Sequence, residues 1–359
     1  VSTEEGCVYL ASGAGFDASK VGGTGHVSYF VDDTPVTGDA YEIPDGCMLV
    51  VAGSGLSQAT ATTLELNDCE VLFASNAVVA SPVSVKGLTR IRTANEDVTG
   101  TFTGFVTFAS GGTGETKQDV ATGAGVTASF DIFGPGTVVL AGGGSARLSE
   151  ERLGLYGGSA VVSNATVQLG TGSNSTPNYG PTLVVAEAAR TFRIADGGVV
   201  RVRRGKSWES AVVFVNGPDE PVLEVGEGGL LEIGFHVGLY VGTDEGSAGR
   251  IRVTSGGVMD TTEATNMEFY FGSGAGATAR GTLELCTGGV VTNSGAFICR
   301  SSSSATSRVP GGIVFDGGRL ALSGKAWANL NYRTILESRC SGVTVTERGG
   351  TLDFSCARA

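Results

Sequence analysis

The side chains best placed to do chemistry form a row of acids and bases at near-regular spacing: Arg201, Glu232 and Asp260, with Arg203 and Arg193 close by. Two carboxylates flanking a glycosidic bond can share its hydrolysis, one protonating the leaving oxygen while the other activates water or attacks. An arginine beside them could instead abstract the proton next to a uronic carboxylate. A second set, Arg203, Arg204 and Lys206 with Trp208, offers cations for an acidic glycan and an indole on which a sugar can stack. Asp32, Asp33 and Asp39, near Tyr41 and Glu42, supply hard oxygens of the kind Ca²⁺ takes. They lack the EF-hand's glycine and terminal glutamate, and Asp32-Asp33-Thr34-Pro35 reads equally as a turn. His26 and His236 have no Ser or Cys at a recognisable motif spacing. Beyond the weak Ca²⁺ candidate, no cofactor is expected.

What must position these groups is a repeat. Glycine pairs at Gly197-Gly198, Gly228-Gly229, Gly256-Gly257, Gly288-Gly289 and Gly317-Gly318 are separated by 31, 28, 32 and 29 residues, the period of one supersecondary unit. Five and three residues before the first four pairs stand Phe192, Leu223, Ile251, Leu283 and Ile194, Val225, Val253, Leu285, the inward positions of a strand. Between them lie Arg193, Glu224, Arg252 and Glu284, alternating in sign. Stacked ~4.8 Å apart as parallel strands, these charges form an outward ladder of opposite neighbours. After each corner, Val199, Leu230, Val258 and Val290 share a face with Arg201, Glu232, Asp260 and Thr292 two residues on. The candidate catalytic row therefore has a purely structural reading as a second charge ladder.

A third strand follows each variable loop, at Phe214-Val215-Asn216, Tyr240-Val241-Gly242, Tyr270-Phe271-Gly272 and Ile298-Cys299-Arg300. Three strands per coil describe an all-β, right-handed parallel β-helix whose glycines occupy the tight corners. Because Ile313 and Phe315 sit one position closer to Gly317, a one-residue deletion or bulge is expected near Asp316. Toward the N-terminus, Asp45–Val51 and Asn67–Phe73 align at a spacing of 22, which fits shorter coils. The turn-Cys-strand pattern recurs at Gly6-Cys7-Val8. The reading is one domain over 1–359: less regular coils over 1–130, an insertion between Thr93 and Phe133, regular coils over 134–359, and roughly 12 coils in all.

Composition agrees. Gly makes up 58 of 359 residues, against roughly 7% in ordinary proteins, without a collagen period. The net charge of −12 disfavours nucleic acid and anionic membranes as partners, and no apolar run approaches the ~18 residues of a membrane-spanning helix. The seven cysteines contain no CxxC pair, so disulfides are the better reading, which implies an oxidising, extracellular setting. Cys47, Cys69, Cys286, Cys299, Cys340 and Cys356 are the candidates, with Cys47 to Cys69 the first pairing because equivalent positions of neighbouring coils lie within bonding range. The odd count leaves Cys7 for a bond to another chain. Val1 opens no signal segment, so any export signal is removed or lies upstream. Asn164-Ala165-Thr166 and Asn174-Ser175-Thr176 are formal glycosylation sequons.

Gly134-Pro135-Gly136-Thr137-Val138-Val139-Leu140-Ala141-Gly142-Gly143 and Gly311–Leu320, continuing through Ile335-Leu336 to Gly349–Phe354, resemble the autotransporter-associated β-strand repeat of bacterial surface proteins. The resemblance implies a secreted or surface-displayed right-handed β-helix, often adhesive or structural. Such passengers are usually poor in cysteine, and no membrane barrel follows here. The expected function is accordingly an extracellular structural or adhesive solenoid, partnered by itself, by another surface protein or by glycans. Its last strand, Thr351–Cys356, reads as an ordinary inner one, which points to end-to-end assembly or to a cut chain. The alternatives are a polysaccharide lyase or glycosidase and a non-catalytic glycan-binding module.

Overall fold

The computed structural model describes residues 6–9, 27–32, 40–43, 48–53, 55–56, 63–108, 117–118, 125–126, 128–146, 151–170, 182–203, 211–234, 237–263, 269–271, 279–293, 311–322 and 343–353. Among these there are strands and turns and no α-helix. The strands stack into three parallel ladders, each contributing one strand to every complete coil: a parallel β-helix.

The entry ladder holds the strands that run into the glycine corner. It rises from Gly55–Leu56 through Val222–Val225, Ala248–Val253 and Arg280–Cys286 to Val343–Val345. The exit ladder begins at Ala40–Ile43, passes Val199–Val202, Leu230–Ile233 and Val258–Thr261, and ends at Thr351–Asp353. Its 12 strands match the coil count expected from the repeat length. The return ladder runs from Gly6–Tyr9 to Phe269–Phe271 and includes the third strands at Phe214 and Tyr240. Ile298-Cys299-Arg300 lies outside the described residues. Two long strands, Glu151–Ser163 and Thr182–Ala195, serve the return and entry ladders in succession, which joins both into one sheet.

Alternation drives each strand inward and outward by turns. In Ala248–Val253, Gly249, Ile251 and Val253 are buried and Ala248, Arg250 and Arg252 face out. Phe192, Leu223, Ile251 and Leu283 are all 0% exposed, as are Ile194, Val225, Val253 and Leu285. One continuous apolar core runs from Leu49 to Leu320 along the axis. Near its lower end, Phe102 stands edge-on to Phe73 and Phe130, with centroids 5.4 and 5.2 Å away.

The corner glycines have two different jobs. The first of each pair takes a left-handed φ, for example +67° at Gly228, which a Cβ disfavours. The second lies against the coil below: a Cβ at Gly198, Gly229 or Gly257 would fall 2.1 Å from a backbone carbonyl oxygen. The corners also bond vertically, since Asp196 N donates to Glu227 O (2.7 Å) and Gly228 N to Gly256 O (3.1 Å).

Cys286 pairs with Asp316 and Val290 with Arg319, so the upper of these two corners is one residue shorter, the deletion anticipated beside Asp316. The 22-residue N-terminal offset is also present, with Leu49 on Val71 and Val51 on Phe73. Within 93–133, Thr99–Phe102, Val106–Phe108 and Ala128–Phe133 continue the ladders. The departure from the coil is therefore narrower than the whole span and contains the antiparallel pair Lys117–Gln118 with Gly125–Val126.

Candidate functional site: the outer charge ladders

The exit ladder brings the candidate catalytic row together in register: Arg201 opposite Glu232, Glu232 opposite Asp260, Asp260 opposite Thr292. The chemistry within the row is already satisfied. Glu232 accepts from Arg201 Nε at 2.8 Å through one carboxylate oxygen and from Arg203 Nη2 at 2.5 Å through the other. Burial alone would push the Glu232 carboxyl up, but the hydrogen bonds and charges of the two arginines prevail and hold it below its ordinary value. Its bond to Glu232 likewise raises Arg203. Asp260 takes a different pair of partners, the Thr262 N–H at 2.9 Å and the Thr292 hydroxyl at 2.8 Å, both on Oδ1. A general acid needs a carboxyl pushed up toward neutrality. Glu232 is displaced the opposite way.

The entry ladder realises the alternating column. Arg193 pairs with Glu224 at 3.2 Å and Arg252 with Glu284 at 2.9 Å. The sequence reading missed Arg250, which bridges Glu284 (3.1 Å) and Glu220 (2.9 Å), so Glu284 is clamped by two arginines as Glu232 is. Two residues before Arg252 on an alternating strand, Arg250 had to share its face, and that period was the available signal. Also missed was the bidentate pair of Arg152 with the buried Asp131, at 2.9 and 2.5 Å.

A further unanticipated feature is a small apolar cluster on the outside of the return ladder: Tyr156, Val184, Ala186 and Phe214, with Phe133, Val212 and Tyr240 packed against it. Phe133 and Tyr156 stack at 5.0 Å, 14° from parallel. The legible trace was the repeated triplet Gly154-Leu155-Tyr156 and Gly238-Leu239-Tyr240. The ring occupies the space a Cβ two residues back would fill: such a Cβ would lie 2.5 Å from the Tyr156 ring at Gly154 and 2.7 Å from the Tyr240 ring at Gly238.

Of the second candidate set, Arg203 belongs to the Glu232 clamp, while Arg204, Lys206 and Trp208 lie outside the described residues. Asp32 ends the strand Val27–Asp32; Asp33 and Asp39, like His26 and His236, lie outside. Asn164 is exposed at a corner with φ +50°. Cys7 is in the strand Gly6–Tyr9, Cys69 is buried, and Cys47, Cys299, Cys340 and Cys356 lie outside the described residues, so the pairing of Cys47 with Cys69 stays an expectation. Cys286 is a thiol, pushed up by burial and by the neighbouring Glu284 charge. With Glu284 and Asp316 it makes the one group of three metal-capable side chains among the described residues. Three of its four carboxylate oxygens already accept hydrogen bonds: Glu284 Oε2 from Arg250 and Arg252, and the two Asp316 oxygens from the Thr346 hydroxyl at 2.6 Å and Arg348 at 2.7 Å.

Among known proteins, no family model and no curated protein matches this chain. A solved structure that matches is that of a hyper-glycosylated fragment of TibA, spanning its residues 55–350 and glycosylated by TibC. It is 16% identical, covers 92% of this chain and 98% of that one, and has a TM-score of 0.19.

Proposed function

We propose that this chain is an extracellular structural or adhesive solenoid, displayed at or outside a cell surface, whose outer charges hold coil to coil. The observation that carries the reading is that the acids of the outer rows are hydrogen-bonded to side chains of the adjacent coils. Glu232 and Glu284 each accept from two arginines of the coil below, and Asp260 is held by Thr262 and Thr292. Self-neutralising pairs suit stacking and leave no poised acid for glycosidic or lyase chemistry. The cysteine count supports an oxidising compartment.

The test is a panel of neutral and uronic-acid polysaccharides assayed for new reducing ends and for unsaturated products, with Glu232→Gln and Asp260→Asn in parallel. The expected result is no depolymerisation by any of the three proteins, with Glu232→Gln measurably less stable. Depolymerisation by the wild type that disappears in Glu232→Gln would make the row catalytic and overturn the reading.

A further inference from the structure

Charge is spread unevenly along the axis. Four successive coils stack in register through segments 76–85, 98–108, 136–146 and 159–170, and those segments contain no Asp, Glu, Lys or Arg in a chain that is 17% charged. Charge returns on the coil above, at Arg193 and Arg201, and at the lower edge, where Glu65 and Lys86 pair at 2.6 Å. In the middle of this neutral facet every second residue faces out, which presents Thr99, Thr101, Thr103, Phe105 and Thr107 around one corner. Phe105 is 45% exposed; the other large apolar side chains exposed among the described residues, Val345 and Leu352, sit on the last described coil. The matching position on the coil above Phe105 is Gly143, so no side chain continues its column there. Two residues on, Thr107 is registered with Ser84 below and Ser145 above, which sets three hydroxyls in a row parallel to the axis at the ~4.8 Å strand spacing. None of these three hydroxyls, nor those of Thr101 and Thr103, is hydrogen-bonded to another side chain or backbone group among the described residues.

A ligand that fits this facet offers hydroxyls to hydroxyls, which both donate and accept, and a weakly positive C–H face to the negative face of a ring. It also carries no charge of its own, because a carboxylate, phosphate or ammonium would be desolvated here with no counter-charge to repay it. A neutral polysaccharide has all three properties. A protein partner would need a cluster of apolar anchors at the centre of the contact, and the facet supplies one aromatic among hydroxyls. A nucleic acid would need cations, and it supplies none. Resting on the adhesive form of the reading above, we propose that this facet binds a neutral polysaccharide laid along the helix axis. One pyranose stacks on Phe105, and the hydroxyls of the chain exchange hydrogen bonds with Ser84, Thr107 and Ser145. The contact is non-covalent and breaks no bond in the sugar.

The experiment is native electrophoresis through gels containing hydroxyethyl cellulose, galactomannan or mixed-linkage β-glucan, with polygalacturonate as the charged polymer. It compares the wild type with Phe105→Ala, Thr107→Val and Thr282→Val, the last on the outer face of the upper entry ladder. Circular dichroism and unfolding midpoints establish that each variant is folded, and sedimentation velocity without polymer reads self-association. The wild type is expected to be retarded by at least one of the three neutral polymers and not by polygalacturonate, with Thr282→Val alike. Phe105→Ala should raise the polymer concentration for half-retardation by at least about tenfold, the scale for truncating an aromatic anchor, and Thr107→Val should shift it the same way. No retardation in any neutral polymer overturns the proposal, as does equal retardation of Phe105→Ala or stronger retardation by polygalacturonate. Self-association of the wild type that is lost in Phe105→Ala would give the facet to a second copy and overturn it too. Binding without cleavage upholds both this proposal and the structural reading, whereas neither binding nor cleavage ends this proposal alone, so the two fail separately.

Discussion

The two glycines of one corner should respond very differently to the same methyl group. In Gly228→Ala the new Cβ meets nothing closer than the Gly197 nitrogen at 3.1 Å, and the cost is that of a left-handed alanine, about 1–2 kcal/mol. In Gly229→Ala the Cβ would lie 2.1 Å from the Ile194 carbonyl oxygen, a distance no real contact sustains. Relief requires the two coils to part by about 1 Å out of a ~4.8 Å spacing. The bonds that hold them there, Gly226 N to Ile194 O at 2.8 Å and Leu230 N to Gly198 O at 3.0 Å, would stretch beyond useful length. Leaving two backbone pairs unmade beside a buried core costs roughly 1–3 kcal/mol each, so Gly229→Ala should lose about 2–6 kcal/mol. Urea unfolding followed by circular dichroism measures both, and amide exchange at Gly226 and Leu230 localises the damage, because solenoids can open coil by coil. A Gly229→Ala protein no less stable than Gly228→Ala would refute the close-approach argument.

Other perturbations separate the remaining forces. Phe102→Ala removes a fully buried ring held edge-on between Phe73 and Phe130 and should cost about 3–5 kcal/mol in denaturant unfolding; a loss below ~1 kcal/mol would mean the coil collapses onto the gap. The Glu232 carboxyl is held below its ordinary 4.5, so its stabilisation is present above that pH and disappears as pH falls through the folded value. With Arg201 and Arg203 36% and 33% exposed, solvent screening keeps the effect to about 1 kcal/mol; unfolding midpoints at pH 7 and pH 3 should differ less in Glu232→Gln, and an unchanged difference refutes the clamp. Burial and Glu284 push the Cys286 thiol up, so its peptide should alkylate with iodoacetamide more slowly at pH 7.5 than the same peptide in the unfolded chain, and faster labelling would contradict the site.

The fold was legible because a β-helix writes its geometry into sequence at two periods at once. Alternation along the strand fixed Ile251 and Val253 inward and Arg252 outward; recurrence at about 30 residues fixed which outward groups meet. Even the irregularity at Asp316 could be read, as a frame shift between apolar positions and glycines. What escaped depends on which face a third strand shows and on what packs over it. Asp131 and Arg152 pair diagonally, since Asp131 is registered with Gly154 and Arg152 with Ser129, and no column of identical spacing reveals them. The outer cluster around Tyr156 was hidden because the sequence treats Val184 and Phe214 as ordinary strand residues, while their outward side chains are nevertheless buried.

The charge columns solve a problem that a regular core creates. Inside the helix, Phe192, Leu223, Ile251 and Leu283 are close to interchangeable, and so are Ile194, Val225, Val253 and Leu285, so core packing discriminates weakly between stacking on the adjacent coil and on the one beyond. Outside, it discriminates strongly. Native stacking sets Arg193 against Glu224 and Arg252 against Glu284. Skipping one coil would set Arg193 against Arg252 and Glu224 against Glu284, like on like at ~5 Å, which is destabilising wherever strands pair. A sign that alternates every coil penalises the one-coil slip that a uniform column of valines would tolerate. On this argument Arg193, Glu224, Arg252 and Glu284 matter less for the depth of the native state than for its uniqueness: they let the chain use nearly identical coils without confusing them.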